Sequence, residues 1–480
     1  MNAIRTFRRT FVGGYMKIFD EGWGKAKQRM KTAIKPGPGF DVGWNNPNMP
    51  LNNYDIVIIG GGVMGWSTAY WLMHKVPRKA RGKIGLNVLV VEKDPSYTRA
   101  STVLSVGSIR QQFTLPENIN MSMFSSHFIR NIREYLSVYE DDPPDVQFNP
   151  QGYLFLATAE GAEQLKQAHD TQVALGAKVR LFTKRQLEVK FPWLNTDGIE
   201  LGNYGMENEG WFDPWLLLMA LKKKAISLGV NHCHGEVTDL VVEAKPGVVE
   251  GRLCKRITHV KVKMPNSIQY QNVKAGHIIN TAGPWAQDIA KMIGIGQEDP
   301  MGLDWELQAP LPVEPRKRFV YVFHCPQGPG LDCPMVVDPS GMYFRREGLA
   351  GNYLCGKSPE EHEEPDAKHL EVDYDFFNET IWPKLANRVQ AFEEIKLRMA
   401  WAGYYDYNTV DQNAIIGTHP IYDNLYLANG FSGHGIQQAP AVGRAVAELL
   451  LDGEFKTLDL TRFGFERFLR NEPIREKNIV

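Results

Sequence analysis

At 480 residues the chain is long enough for one large domain or two interleaved domains around a substantial core. Hydrophobic and charged fractions are ordinary, and a net charge of −1 gives no basis for a nucleic-acid partner. Five scattered cysteines without a Cys-x-x-Cys pair argue against a disulfide scaffold or a zinc site and fit a reducing compartment.

No apolar run approaches the ~18 residues of a spanning helix, so the chain is expected to be soluble or at most peripheral to a membrane. Residues 1–50 differ from the rest. Arg5, Arg8, Arg9 and Lys17 precede the first acid, Asp20, and alternate with Ile4, Phe7, Phe11 and Tyr15. This Arg-rich, acid-poor pattern resembles a mitochondrial transit peptide; a disordered basic tail is the alternative. A turn-rich linker follows from Pro36 to Pro50.

Asp55 to Ile59 then reads as a buried parallel strand. It runs into Gly60-x-Gly62-x-x-Gly65 and a helical pattern through Leu72, the strand–turn–helix order of a dinucleotide site. A second buried strand, Val88 to Val91, ends in Glu92, placed for ribose hydroxyls. The basic stretch Arg78 to Lys83 reads as an inserted loop between them. Arg99 to Arg110 is small and polar around Gly107, able to pass close to a cofactor ring. Thr114-Leu-Pro-Glu117 predicts a capping box opening a long helix towards Tyr139, ended by Asp141 to Asp145.

Strand (Tyr153–Ala157), helix (Ala162–Leu175) and a short helix before Phe191 predict a second domain. Asp213 and Pro214 open a helix over Trp215–Leu228. Strands near Val230–His232, Val237–Val242 and His277–Asn280 return to the nucleotide domain. Short strands alternate from Leu311 to Lys396, where the acidic run Glu360–Glu364 reads as a solvated loop rather than a metal site; no metal is expected. Asn424 to Gly435 is strand then glycine turn, and Ala439–Leu451 is a helix.

Four pieces together resemble the D-amino-acid oxidase, sarcosine oxidase and dimethylglycine dehydrogenase superfamily of flavoproteins. They are the glycine turn with Glu92, Ala100-Ser-Thr-x-x-Ser-x-Gly107, Asn280-x-Ala-Gly-Pro-Trp285 and Gly430-Phe-Ser-Gly-His-Gly435. The resemblance implies an α/β fold: a Rossmann-like FAD-binding domain (54–145, 209–300, 397–455) interleaved with a mixed-sheet α+β substrate domain (146–208, 310–396), and a tail from 456. It implies that Gly60, Gly62, Val63, Met64, Gly65, Glu92 and Lys93 hold the ADP half of FAD. Ser101, Ser105, Val106 and Gly107 then pass beside flavin and ribityl chain. Val237, Ala282, Gly283 and Trp285 complete the cradle. Gly430, Ser432, Gly433, His434, Gly435 and Ile436 lie at the pyrimidine edge, with His434 either packing or over the ring.

Departures from the superfamily carry expectations of their own. Relatives attach flavin through a histidine where this chain has Leu104, or a cysteine where it has Gly403 and Tyr404, so noncovalent FAD is expected. Gln437 replaces the carboxylate-binding lysine of the sarcosine oxidases. Arg110, Arg345 or Arg346 remain candidates to pair with the carboxylate of a small amine substrate; salt-bridged roles are the alternative. Tyr404, Tyr405 and Tyr407 line a substrate pocket or belong to core. A closer similarity to a mitochondrial branch of the superfamily is carried by Gln112–Asn118, Gly210–Trp215, Pro312–Arg318, Tyr343–Gly348, Trp401–Asn408 and Gly433–Ala439. It implies a matrix protein peripheral to the inner membrane, whose partners are complex I subunits or assembly intermediates. Two functions follow: an assembly role for complex I (NADH dehydrogenase), or an amine oxidase or dehydrogenase of the sarcosine oxidase type.

Overall fold

In a computed structural model of the chain, residues 49–76, 85–138, 144–249, 252–265, 267–297 and 305–477 are described. The expected targeting segment, the inserted basic loop and most of the Asp141–Asp145 turn lie outside them. The frame is a sheet whose five central strands run parallel: β1 (Asn53–Ile59), β2 (Val88–Glu92), β3 (Asn231–His234), β4 (Tyr270–Asn280) and β5 (Leu425–Asn429). Their spatial order is β5-β4-β1-β2-β3. Register brings Ile59, Val91 and Asn280 level at the carboxyl ends, where open α/β sheets bind ligands.

Alternation along β1 serves both faces. Ile56 and Ile58 pack into one core with the helices, and Val57 and Ile59 into another. The second core is covered by an antiparallel meander, Glu236–Val249 and Arg252–Lys263, that pairs onto β4. Helix α1 (Val63–Lys75) is buried almost throughout, because a later helix lies across it. Ser67 Oγ donates to Ala439 O (2.7 Å) and Trp71 Nε1 to Pro440 O (2.8 Å).

Three helix expectations change. Helix α2 (Pro116–Arg130) stops at Asn131 before a short turn of helix, Ile132–Leu136. Its expected capping box is absent: Thr114 N and Oγ1 and Leu115 N all donate to the Glu476 carboxylate. A charged acceptor brought in from the C-terminal tail outcompetes the local one. Helix α3 (Pro214–Ser227) is capped as expected, Leu216 N donating to Asp213 Oδ1 at 3.0 Å. Helix α4 (Gly435–Asp452) begins four residues before Ala439, because the reversal is completed earlier, at Ser432 (φ +48°) and Gly433 (φ +97°).

The second sheet has eight strands in the order 396–408, 313–324, 352–357, 342–347, 335–337, 153–157, 201–205, 179–183. All neighbours are antiparallel except Met335–Val337 with Tyr153–Ala157. Strand Lys396–Asn408 pairs along its whole length with Val313–His324, from His324↔Lys396 to Val313↔Asn408. The chain therefore leaves this sheet after Asn408, not at residue 397. Backbone pairing to the neighbour decides membership, and composition does not report it.

Candidate active site

The turn after β1 is shaped by two glycines. Gly60 has φ +103°, and a methyl carbon there would lie 2.5 Å from Thr281 O. A methyl carbon at Gly65 would lie 2.0 Å from Gly60 O, so only glycine lets α1 approach the strand end. Gly62 is the N-cap of α1 without a side-chain cap bond, and the first turn holds no acid. That helix end is suited to an anion. Glu92 closes the crevice: Oε2 accepts from Gly61 N and Oε1 from Asp94 N, both at 2.8 Å. Burial pushes its pKa up while those two N–H groups pull it back.

A cavity of about 440 Å³ opens from this crevice. Of the expected cofactor residues, it is lined by Gly60, Gly62, Val63, Met64, Glu92, Lys93, Ser101, Ser105, Val106, Val237, Ala282, Gly283, Trp285, Gly433, His434, Gly435 and Ile436. Gly65, Gly107, Gly430 and Ser432 stand behind the wall and shape it. Gly107 (φ +68°) leaves no room for a side chain, since a methyl carbon would lie 2.1 Å from Phe212 O. Ser432 Oγ accepts from Asn408 N at 3.0 Å. Thr102 Oγ1 accepts from Val63 N (3.1 Å) and ties the Ser101–Leu104 turn to the start of α1. Ser101 Oγ is buried in the wall without a hydrogen-bond partner. Such a hydroxyl fits a polar cofactor chain passing beside it. Leu104 and Gly403 also line the cavity.

The far end is built by the second sheet. Tyr153, Tyr343, Tyr405, Arg318, Val320 and Met335 face Arg110, His434 and Gln437 there. Arg110 is 2 % exposed. Its Nη1 donates to Gln112 O (2.8 Å), its Nη2 to His434 Nε2 (2.9 Å), and its backbone N to Gln437 Oε1 (2.9 Å). Burial and the adjacent guanidinium push the His434 pKa down to about 3, so the ring is neutral at physiological pH. Gln112 Nε2 reaches Glu209 Oε2 (2.8 Å), a fully buried carboxyl that burial pushes up to about 7. At the mouth, Arg99 stands 5.5 Å from the Trp285 ring and 5.4 Å from the Tyr404 ring, donating to Tyr404 Oη at 3.0 Å.

Arg345 is not part of the cavity wall. Its Nη2 donates to Val106 O (2.8 Å) and its Nη1 pairs with Glu347, so the guanidinium is used in joining strand to loop. Arg346 donates to Gly348 O. Tyr404 and Tyr405 line the cavity, whereas Tyr407 packs on Arg316. The acidic run is only partly a solvated loop: Glu361 and Glu363 are exposed, and Glu364 holds Arg318 bidentately at 2.9 and 2.7 Å. Among the described residues no His/Cys/Asp/Glu group could hold a metal ion.

Two contributors went unrecognised in the sequence. Asp406 Oδ2 accepts from Phe431 N (3.1 Å) and Asp406 O from Ser432 N (3.0 Å), which fixes the Gly430–Gly433 turn. Burial pushes this carboxyl up to about 6. Arg318 lines the cavity from the neighbouring strand. The usable signal was Arg316-x-Arg318, two basic residues at strand spacing beside Tyr405 and Tyr407.

The sheet with its five parallel strands, the glycine turn with Glu92 at the end of the neighbouring strand, and the attached mixed sheet define a flavin-dependent oxidoreductase fold. The chain matches the FAD dependent oxidoreductase family over residues 55–449 and belongs to that family. It is 52 % identical over 469 residues to FAD-dependent oxidoreductase domain-containing protein 1 of Xenopus laevis, covering 97 % of this chain and 92 % of that one. It is likewise 52 % identical to the Bos taurus protein of that description, over 98 % of this chain and 96 % of that one. Among solved structures, L-proline dehydrogenase from P. horikoshii superposes with a TM-score of 0.72 at 26 % identity, covering 88 % of this chain and 100 % of that one. FAD is the cofactor.

Proposed function

We propose that this flavoprotein oxidises a small carboxylated amine in the mitochondrial matrix, and that the same protein supports assembly of complex I from the matrix side of the inner membrane. The observation supporting the redox role is continuity: one cavity runs from the dinucleotide cradle to a buried end walled by Arg110, His434 and three tyrosines. FAD supplies hydride acceptance from the C–H bond beside the amine nitrogen. The chain's own residues bind and orient. Arg110, held by Gln112 O and His434, offers a fixed cation to a carboxylate. His434, neutral and accepting from Arg110, holds that guanidinium in place. Gly433 to Ile436 offers the start of α4 to the ring edge, where N–H donors stabilise developing negative charge.

The assembly role rests on the resemblance of the sequence runs named above to a mitochondrial branch of the superfamily and on the Arg-rich N-terminus. Gln437 favours it further: Gln437 Oε1 is used in holding Arg110 N, where sarcosine oxidases keep a lysine for substrate.

One pair of measurements tests both. Purified FAD-loaded protein is mixed anaerobically with N-methyl amino acids, and bleaching of the flavin band is followed. Cells lacking the protein are complemented with wild type or Arg110→Met, and assembled complex I is measured. Bleaching that is lost in Arg110→Met supports the enzyme. Rescue by Arg110→Met with no bleaching by wild type assigns the function to assembly alone. Failure of wild type to restore complex I overturns the assembly role.

A further inference from the structure

Besides Arg110, the cavity is lined by a second arginine, and this one has an unpartnered donor. Arg318 is 8 % exposed and lines the cavity. Its Nη1 is taken by Lys317 O (2.8 Å) and Glu364 Oε2 (2.9 Å), and its Nη2 by Glu364 Oε1 (2.7 Å). The Nε–H is buried and has no hydrogen-bond partner. Leaving a charged group's donor buried and unmade is costly, so such an atom calls for an acceptor from outside the protein.

Position says what kind. Arg318 Cζ lies 5.5 Å from the centre of the Tyr405 ring. Arg110 lines the same cavity, and both guanidinium groups act electrostatically on the Tyr405 hydroxyl. Tyr343 lines it as well. Register explains the convergence: Arg318 pairs with Gly403, two residues from Tyr405 on the neighbouring strand, so both side chains leave one face. The Glu364 fork spends two Arg318 nitrogens on orientation and leaves the third.

We propose that Arg318 Nε is a second anion-binding donor beside Arg110, and that the ligand of this cavity is a small amine bearing two carboxylates, one for each arginine. This deepens the oxidoreductase reading above and rests on it. A monocarboxylate engages Arg110 alone.

The test uses the full FAD-loaded protein and calorimetric titration with glutarate and butyrate, neither of which is an amine, so binding is read without turnover. Wild type is expected to bind glutarate at least about tenfold more tightly than butyrate, the worth of one further charge-assisted hydrogen bond. Arg318→Lys keeps a cation for Glu364 but has no Nε–H in that place. It should bring the glutarate preference below about threefold while butyrate binding holds. Arg318→Met should do the same, and Arg110→Met should weaken both probes. Equal binding of the two probes by wild type overturns the inference, meaning that water satisfies Nε, and leaves the single-carboxylate reading standing. A glutarate preference that survives Arg318→Lys also overturns it. Binding of neither probe by flavin-loaded protein removes the inference together with the reading beneath it.

Discussion

Gly403 and Leu104 face each other in the cavity wall: a methyl carbon on Gly403 would lie 2.9 Å from Leu104 Cβ. By the resemblance, some relatives offer the flavin a histidine at the place of Leu104 and others a cysteine at that of Gly403 and Tyr404. Glycine and leucine offer no nucleophile, and the Tyr404 hydroxyl is engaged by Arg99 at 3.0 Å. Acid precipitation of the purified protein is therefore expected to release all yellow colour into the supernatant. Colour retained in the pellet would show attachment elsewhere.

Gly65→Ala places its methyl 2.0 Å from Gly60 O. Neither backbone can yield without separating α1 from β1, so flavin content should fall below a tenth of wild type. The loss of stability should be about 3 kcal/mol, at the upper end for overpacking. Flavin absorbance per mole and a chemical denaturation curve measure both. Full flavin occupancy would refute the close approach.

Arg110 and Arg345 separate by role. Arg110→Met should lower kcat/KM for any carboxylated substrate by about a hundredfold with flavin retained, as expected for loss of a buried charge-assisted contact. Arg345→Met should change KM by less than about threefold and cost ~1–3 kcal/mol of stability through the lost bonds to Val106 O and Glu347. Comparable kinetic defects in the two variants would contradict the geometry.

Asp406 gives stability a pH signature. Its carboxyl is held up to about 6 by burial, above an ordinary value of 3.8. Between about 4 and 6 the unfolded chain has released this proton while the folded chain retains it. The group's contribution to stability therefore falls as pH rises through that window and is level above it. Asp406→Asn keeps an oxygen for Phe431 N and removes the slope. Denaturation midpoints of wild type and variant should converge below pH 4 and differ, in the variant's favour, at pH 7. Parallel profiles would rule this out.

The dinucleotide half was legible because its constraints are local. Gly60, Gly62 and Gly65 act within six residues, and Glu92 ends a strand readable from its own composition. The end of the cavity built by the second sheet was not. Arg318 reaches the cavity through a pairing with Gly403 that no local pattern encodes, and Asp406 matters through Phe431 on another element. Thr114 carried the signature of a capping residue, yet its partner, Glu476, lies 362 positions away. Arg345, in the same Phe-Arg-Arg stretch that suggested a carboxylate site, was indistinguishable from Arg346 until strand and loop were in place.

Strand Lys396–Asn408 has one further implication. It is laddered to its neighbour from end to end, and Gly403, Tyr405 and Asp406 on it abut Leu104, Gly433 and Phe431. A single beam thus joins the glycine-turn end of the cavity wall to the second sheet, leaving no hinge between them at this seam. At the rim, Arg99 rests against both Trp285 and Tyr404, so entry to the cavity is expected to turn on side-chain rotation there, which exposed residues make in nanoseconds, rather than on the slower opening of domains.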